Sequence, residues 1–140
     1  MKTISEQYAN FLIKLNYQQI PDDVLFSAKR HILDTIGVAI RGRTHENAVN
    51  SLKGLIEVNK NAHFIPVWGT NVKLSTEYAA LANGIAAHCL DFDDTHTDSI
   101  LHGSTIIAPV VLALGEELNV PEEDLLTAFI GGWEVAARIG

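Results

Sequence analysis

Ionisable chemistry in this chain is concentrated in one stretch, His88-Cys89-Leu90-Asp91-Phe92-Asp93-Asp94-Thr95-His96, followed by Ile100-Leu101-His102-Gly103-Ser104-Thr105. From His88 to His102 it holds four aspartates and three histidines, set between two runs that otherwise read as apolar helix. Carboxylates interleaved with imidazoles suit proton transfer, because one group can take a proton while a neighbour gives one up. If the preceding helix continues into the stretch, His88, Asp91 and Thr95 fall at i, i+3 and i+7 on one face. The aspartates, however, sit where a helix ends and its carbonyls disfavour negative charge. Three arrangements stabilise them: a solvated acidic loop, capping of the next helix by Asp94 or Thr95, or a site that uses the carboxylates.

His102-Gly103-Ser104-Thr105 directly precedes a helical run. The backbone N–H groups of Gly103, Ser104 and Thr105 therefore predict an anion position suited to a carboxylate, with His102 as an added donor. The plainer reading makes Ser104 an N-cap and His102 a loop residue. Facing a bound carboxylate, Asp91 is placed to act as base on the adjacent carbon, with His102 or Thr95 relaying a proton or holding a leaving group. Asp91, Asp93 and Asp94 equally read as a solvated, capping turn, and His88 as a surface or satisfied core histidine. His31, His45 and His63 have no clustered partners and read as structural.

Asp93-Asp94-Thr95-His96-Thr97-Asp98 has the look of an aspartate-rich magnesium site for diphosphates. Such a site needs a second acidic cluster and nearby cations, and the chain offers neither. Zinc through His88, Asp91 and His96 lacks a ligand spacing typical of that metal. No metal and no cofactor is expected.

The elements that must hold these residues follow from apolar periodicity. Thr3 and Glu6 form a capping box ahead of Tyr8, Phe11, Leu12 and Leu15, predicting a first helix that ends near Asn16. Pro21-Asp22-Asp23 opens a second, with Val24, Leu25, Ala28, Ile32, Thr35, Ile36 and Ala39 as its stripe and Gly42 as its stop. Thr44 is the expected cap of a third helix carrying Ala48, Leu52, Leu55 and Ile56, ending around Asn59. The segment from His63 to Gly69 is the only strand candidate, confined to an edge by Pro66. Ser75 or Thr76 starts an alanine-rich helix through Tyr78, Leu81, Ala82 and Ile85. Within it Asn83-Gly84 are poor helix formers that close packing or an adjacent ligand would justify. After the acidic stretch Ile107, Val110, Val111, Leu114 and Leu118 take helical spacing, with Pro109 in a kinked first turn or at the true start. Pro121-Glu122-Glu123-Asp124 opens the last helix, whose stripe of Leu125, Leu126, Phe129, Ile130, Trp133 and Ala137 is still running at Gly140. The expected class is all-α, about six helices with at most one short extended segment.

The chain has 140 residues, 47% of them hydrophobic and only 19% charged. That surplus predicts apolar surface covered by further protein. A net charge of −7 argues against nucleic acid and against an anionic membrane surface. The single cysteine, Cys89, excludes an intrachain disulfide and fits a reducing cytoplasm. Met1-Lys2-Thr3-Ile4-Ser5-Glu6 lacks the apolar core of a signal peptide, and no apolar run approaches the roughly 18–20 residues of a membrane span.

Ala82-Asn83-Gly84, Ala87-His88, Asp91-Phe92-Asp93-Asp94-Thr95-His96 and His102-Gly103-Ser104, in that order, resemble the MmgE/PrpD family. Ile32-Leu33-Asp34-Thr35-Ile36-Gly37, Val67-Trp68-Gly69, Ala108-Pro109 and Leu112-Ala113-Leu114-Gly115-Glu116 extend the likeness over nearly the whole chain. The family includes 2-methylcitrate dehydratase, cis-aconitate decarboxylase and iminodisuccinate epimerase, which make or break bonds beside carboxylates without a metal. The resemblance implies that Asp91, Thr95 and His102 are active-site residues, that the substrate is a small di- or tricarboxylate, and that the protein is a homodimer. Where this chain has His102-Gly103-Ser104, the family more often has His-Pro-Ser. Family members are much longer, with a helical domain followed by an α+β lid that supplies lysines and a further histidine. Residues 1–140 are accordingly expected to be an incomplete helical domain, dehydratase-like in kind but inactive by itself. The contrasting expectation is a non-catalytic helical interaction module, or the remnant of a truncated gene.

Overall fold

The structure, a computed structural model, describes residues 2–60 and 64–140. His63 lies outside the described residues. The elements run α1 (Ile4–Lys14), a 3-10 turn (Tyr17–Gln19), α2 (Asp22–Gly42), α3 (Glu46–Val58), β1 (Ile65–Pro66), β2 (Lys73–Leu74), α4 (Thr76–His88), α5 (Gly103–Leu118) and α6 (Glu122–Ile139). The all-α expectation holds, with a two-stranded hairpin as its one addition.

Helix α4 is the centre of the molecule because its residues are small. Ala86 and Ala87 meet Ala39 of α2 and Ala48 of α3, while Ala79 and Ala82 face Ile65, Val67, Leu74 and Ala113 of α5. Alanine exposes no long side chain, so backbones on both sides come close and the helix keeps good intrinsic propensity. A second core lies across α2, α5 and α6, where Leu25 and Ala28 pack on Ala108, Leu126, Phe129 and Ile130. Helix α1 carries the predicted capping box but buries no residue. It lies on the outside, with Leu12 and Leu15 over Gly131 of α6.

Four sequence expectations are corrected. The single extended segment is a pair, since Ile65 aligns with Leu74 and Pro66 with Lys73 in antiparallel register. A two-residue strand at Lys73-Leu74 is too short for any alternating pattern to announce it. Thr44 does not cap α3: His45 does, its Nδ1 accepting from Asn47 N at 3.3 Å, while the Thr44 hydroxyl donates to Arg41 O. The stripe of α2 is narrower than drawn, with Val24 exposed. Pro109 neither starts α5 nor lies in its first turn; it is fully buried inside the helix, six residues after Gly103.

Asn83-Gly84 find their reason here. The Asn83 amide accepts from Trp68 N at 2.9 Å and donates to Pro66 O at 3.2 Å, closing the edge of β1. Gly84 lies where α4 crosses α5. A Cβ there would stand 3.1 Å from Thr105 O, the carbonyl whose helical donor Pro109 lacks. Thr105 Oγ1 donates back to Gly84 O at 3.1 Å. These contacts fix the start of α5 against the end of α4. Among the described residues no helix is long and apolar enough to cross a membrane.

Candidate active site

Helix α4 stops at His88, with Cys89 as its last cap. Asp91 N bonds His88 O at 2.9 Å, and Asp91 adopts φ 56°, a left-handed conformation that aspartate tolerates better than most residues. That turn breaks the anticipated helical face, so His88, Asp91 and Thr95 do not share one. The loop that follows is closed by an antiparallel bridge between His96 and Leu101, with Ile100 also left-handed at φ 49° and His96 Nδ1 2.7 Å from Ser99 Oγ. Thr95 precedes the bridge, exposed and without a hydrogen bond to the described residues.

The loop is anchored beneath by Asp94. Its carboxylate accepts from Ser104 N at 3.1 Å and from the Ser104 hydroxyl, and lies 2.8 Å from His31 Nδ1. Ser104 Oγ in turn accepts from Trp133 Nε1 at 3.0 Å. One carboxylate thus caps α5 and ties it to α2 and α6, with the favourable charge for a helix N-terminus. The capping alternative is realised, by Asp94. Its consequence is that the anion position expected over Gly103, Ser104 and Thr105 is filled from within at Ser104, and all three residues are buried. Gly103 also lies under the indole, where a Cβ would stand 2.4 Å from Trp133 Cζ2. His31 and Trp133, which carried no site signal in the sequence, hold this anchor.

Above it, Asp91 and His102 come together, joined by His88 and Asp93, which the sequence presents only as metal ligands, turn or structural residues. The Asp93 carboxylate has no solvent exposure. His88 Nδ1 lies 3.0 and 3.2 Å from its two oxygens, and His102 Nδ1 is 3.4 Å from Oδ2. His102 Nε2 points the other way, 3.9 Å from Oδ1 of the exposed Asp91. The imidazoles of His88 and His102 meet edge to face at 5.0 Å. Asp93 is therefore no solvated turn, and His88, an exposed histidine at the end of α4 as the surface reading has it, is its partner. Asp91 and Asp93 are two residues apart and would share a face in an extended strand, so no periodicity in the sequence separates the outward one from the inward one.

His88 and His102 close one end of a cleft of about 990 Å³ between α4 and α5, with Gly84, Ile85, Ile106 and Val110 along its walls. Glu77 and Glu117 stand at the other end, and none of the described residues lining it is lysine or arginine. Cys89 sits behind the site, its Sγ 3.3 Å from Gly42 O and Ala86 O. Burial pushes its thiol above the ordinary range, so it is no ready nucleophile. Donor atoms of His88, Asp91, Asp93 and His102 lie within 4.8 Å of one another. A tetrahedral cation with bonds of roughly 2.0–2.1 Å would have to draw them together and displace the contacts they make with each other.

The family profile described as the MmgE/PrpD N-terminal domain matches residues 6–140. Over 99% of its length the chain is 35% identical to the cis-aconitate decarboxylase of Homo sapiens and 34% identical to that of Mus musculus. Over 98% it is 28% identical to the cis-aconitate decarboxylase of Aspergillus terreus. It spans 29–30% of the length of these proteins.

Proposed function

Because the chain belongs to the MmgE/PrpD family, we propose that it forms the proton-transfer half of a metal-independent lyase acting on a small tricarboxylate. The observation that carries this is the pairing of Asp91 with His102. One carboxylate is exposed, one imidazole nitrogen is turned towards it at 3.9 Å, and that imidazole lines the cleft between α4 and α5. Such a pair can remove a proton from carbon, or return one to it, next to a substrate carboxylate. Thr95 is assigned a supporting role, reaching the substrate from the exposed rim of the same loop.

Of the reactions open to such a site, decarboxylation is favoured over dehydration or epimerisation, on the strength of the relatives' names. The bond to a carboxyl carbon breaks, carbon dioxide leaves without the bonding electrons, and the pair passes into the conjugated carbon skeleton. A proton from the Asp91–His102 pair then bonds to the skeleton carbon on which that electron pair settles. The substrate brings charge that this cleft cannot offset, since the described lining residues include two glutamates and no lysine or arginine. The proposal therefore places the counter-cations in sequence corresponding to the remainder of the longer relatives, and expects residues 1–140 alone to turn over slowly or not at all. It includes a cytoplasmic homodimer that uses the exposed apolar faces, with no part for nucleic acid or membrane.

The cation-free cleft also favours a second reading, a non-catalytic helical module that buries Ile106, Val110 and Leu114 against a partner. The test is turnover of cis-aconitate by a complete protein containing this domain. Asp91→Asn and His102→Ala should each lower kcat on the order of 10²–10⁴-fold, and chelators should leave the unsubstituted enzyme unchanged. Undiminished turnover in both variants would sink the assignment.

A further inference from the structure

His102 carries an unresolved polar atom: Nδ1 is buried and makes no hydrogen bond of good geometry. Buried ring nitrogens are ordinarily paired, and leaving one unpaired is costly. The polar group facing it is Asp93 Oδ2 at 3.4 Å, the oxygen that already lies 3.0 Å from His88 Nδ1. Asp93 in turn is a fully enclosed carboxylate whose ion-pair partners among the described residues are these two imidazoles alone. Each group supplies what the other lacks. A shift of a few tenths of an ångström, of the kind catalytic hydrogen bonds undergo when substrate binds, makes the second bond.

We propose that Asp93 is the positioning residue of the site, its buried carboxylate accepting Nδ1–H from both His88 and His102 and so presenting the other ring nitrogen of His102 to Asp91 and the substrate. A carboxylate can only accept, so both Nδ1 atoms must carry hydrogen to pair with it. A neutral imidazole has one N–H, and its position is set by what the other nitrogen meets. Nε2 of His102 is then the atom that exchanges protons, on the side where Asp91 stands. The bridge from Asp93 to His88 fixes the carboxylate to the end of α4, so the ring orientation is inherited from the packing of α4 on α5. Asp94 holds the same loop from below through Ser104. Neighbouring aspartates thus divide the work, one fixing the loop and one fixing the imidazole.

The inference rests on the proton-transfer reading for its purpose, but its first test does not. Long-range proton–nitrogen spectra of the 140-residue chain with ¹⁵N-labelled histidine, taken at mildly alkaline pH and assigned with His88→Gln and His102→Gln, report which ring nitrogen bears hydrogen. The expected result is Nδ1–H at both rings, against the Nε2–H form that a free imidazole prefers. An Nε2–H form at His102 in the unsubstituted protein overturns the proposal, whether or not an Asp93 variant folds. Asp93→Asn keeps one acceptor oxygen but puts an N–H donor within reach of the ring nitrogens, which favours an unprotonated Nδ1 and should return at least one ring to Nε2–H. In a complete enzyme it should lower kcat on the order of 10²–10⁴-fold, by analogy with loss of the orienting carboxylate in a serine protease, with KM little changed. If Asp91→Asn proves silent while His102 is Nδ1–H, the functional reading falls and the tautomer assignment stands. If Asp91 is essential while His102 is Nε2–H, only the present inference falls.

Discussion

Replacing glycine by alanine at two positions of α2 should move stability in opposite directions. In a helix interior the substitution ordinarily gains roughly 0.5–1 kcal/mol, because alanine loses less backbone entropy on folding. At Gly37 a Cβ meets nothing within 4 Å, so Gly37→Ala should show that gain and raise the urea midpoint by a few tenths molar, with m of roughly 1–3 kcal/mol/M. At Gly42 the same Cβ would stand 2.0 Å from Ala86 O and 2.9 Å from Cys89 Sγ. An ordinary carbon–oxygen contact is about 3.3 Å, so α2 and α4 would have to part by about an ångström. Ala39 and Ala87, both without exposure, hold that crossing closed. Overpacking of this kind costs roughly 1–3 kcal/mol, outweighs the helix gain, and should lower the midpoint by about 1 M. Urea unfolding followed by circular dichroism, with equal m values, measures both. Midpoints that move in the same direction would refute the claim that close backbone approach, and not helix propensity, dictates Gly42.

Asp94→Ala should remove the acceptor of Ser104 N and leave His31 Nδ1 without its partner, costing roughly 1–3 kcal/mol. Thermal unfolding checks this, and a near-ultraviolet change from Trp133 should accompany it, since the indole bonds to the same Ser104. Cys89 predicts an alkaline effect. Its thiol is raised chiefly by burial, with the Asp93 charge adding to it, so the folded chain holds the proton more tightly than the unfolded one. The contribution is therefore fully present below the ordinary thiol range and is lost as pH rises through the raised value. Urea midpoints should fall across that alkaline window in the native chain and fall less in Cys89→Ala. Labelling by iodoacetamide at neutral pH should be slower than for a free thiol.

Much of this protein was legible in the linear chain because helices report themselves locally. The capping box at Thr3, the proline and acids opening α2 and α6, and the apolar spacing of α6 are all interactions within a few residues, and each element stands where its pattern put it. The family likeness is likewise a matter of order and type along the chain. The pairing of Asp91 with His102 was also anticipated, since both lie at the edges of one loop between two recognisable helices.

What the tertiary structure decided depends on how that loop folds back. A left-handed Asp91 ends the helical face that would have grouped Thr95 with His88, and no residue pattern marks aspartate for that conformation. Burial separated Asp93 from its neighbours, turning an apparently solvated acid into the acceptor shared by two imidazoles. Asp94 found Ser104 and His31 across ten residues or more, and Trp133 joined them through Ser104, so a carboxylate of the chain itself stands at the start of α5. Composition could state that charged groups crowd this stretch; only packing assigns each of them a partner, because pairing follows separation in space and not along the chain.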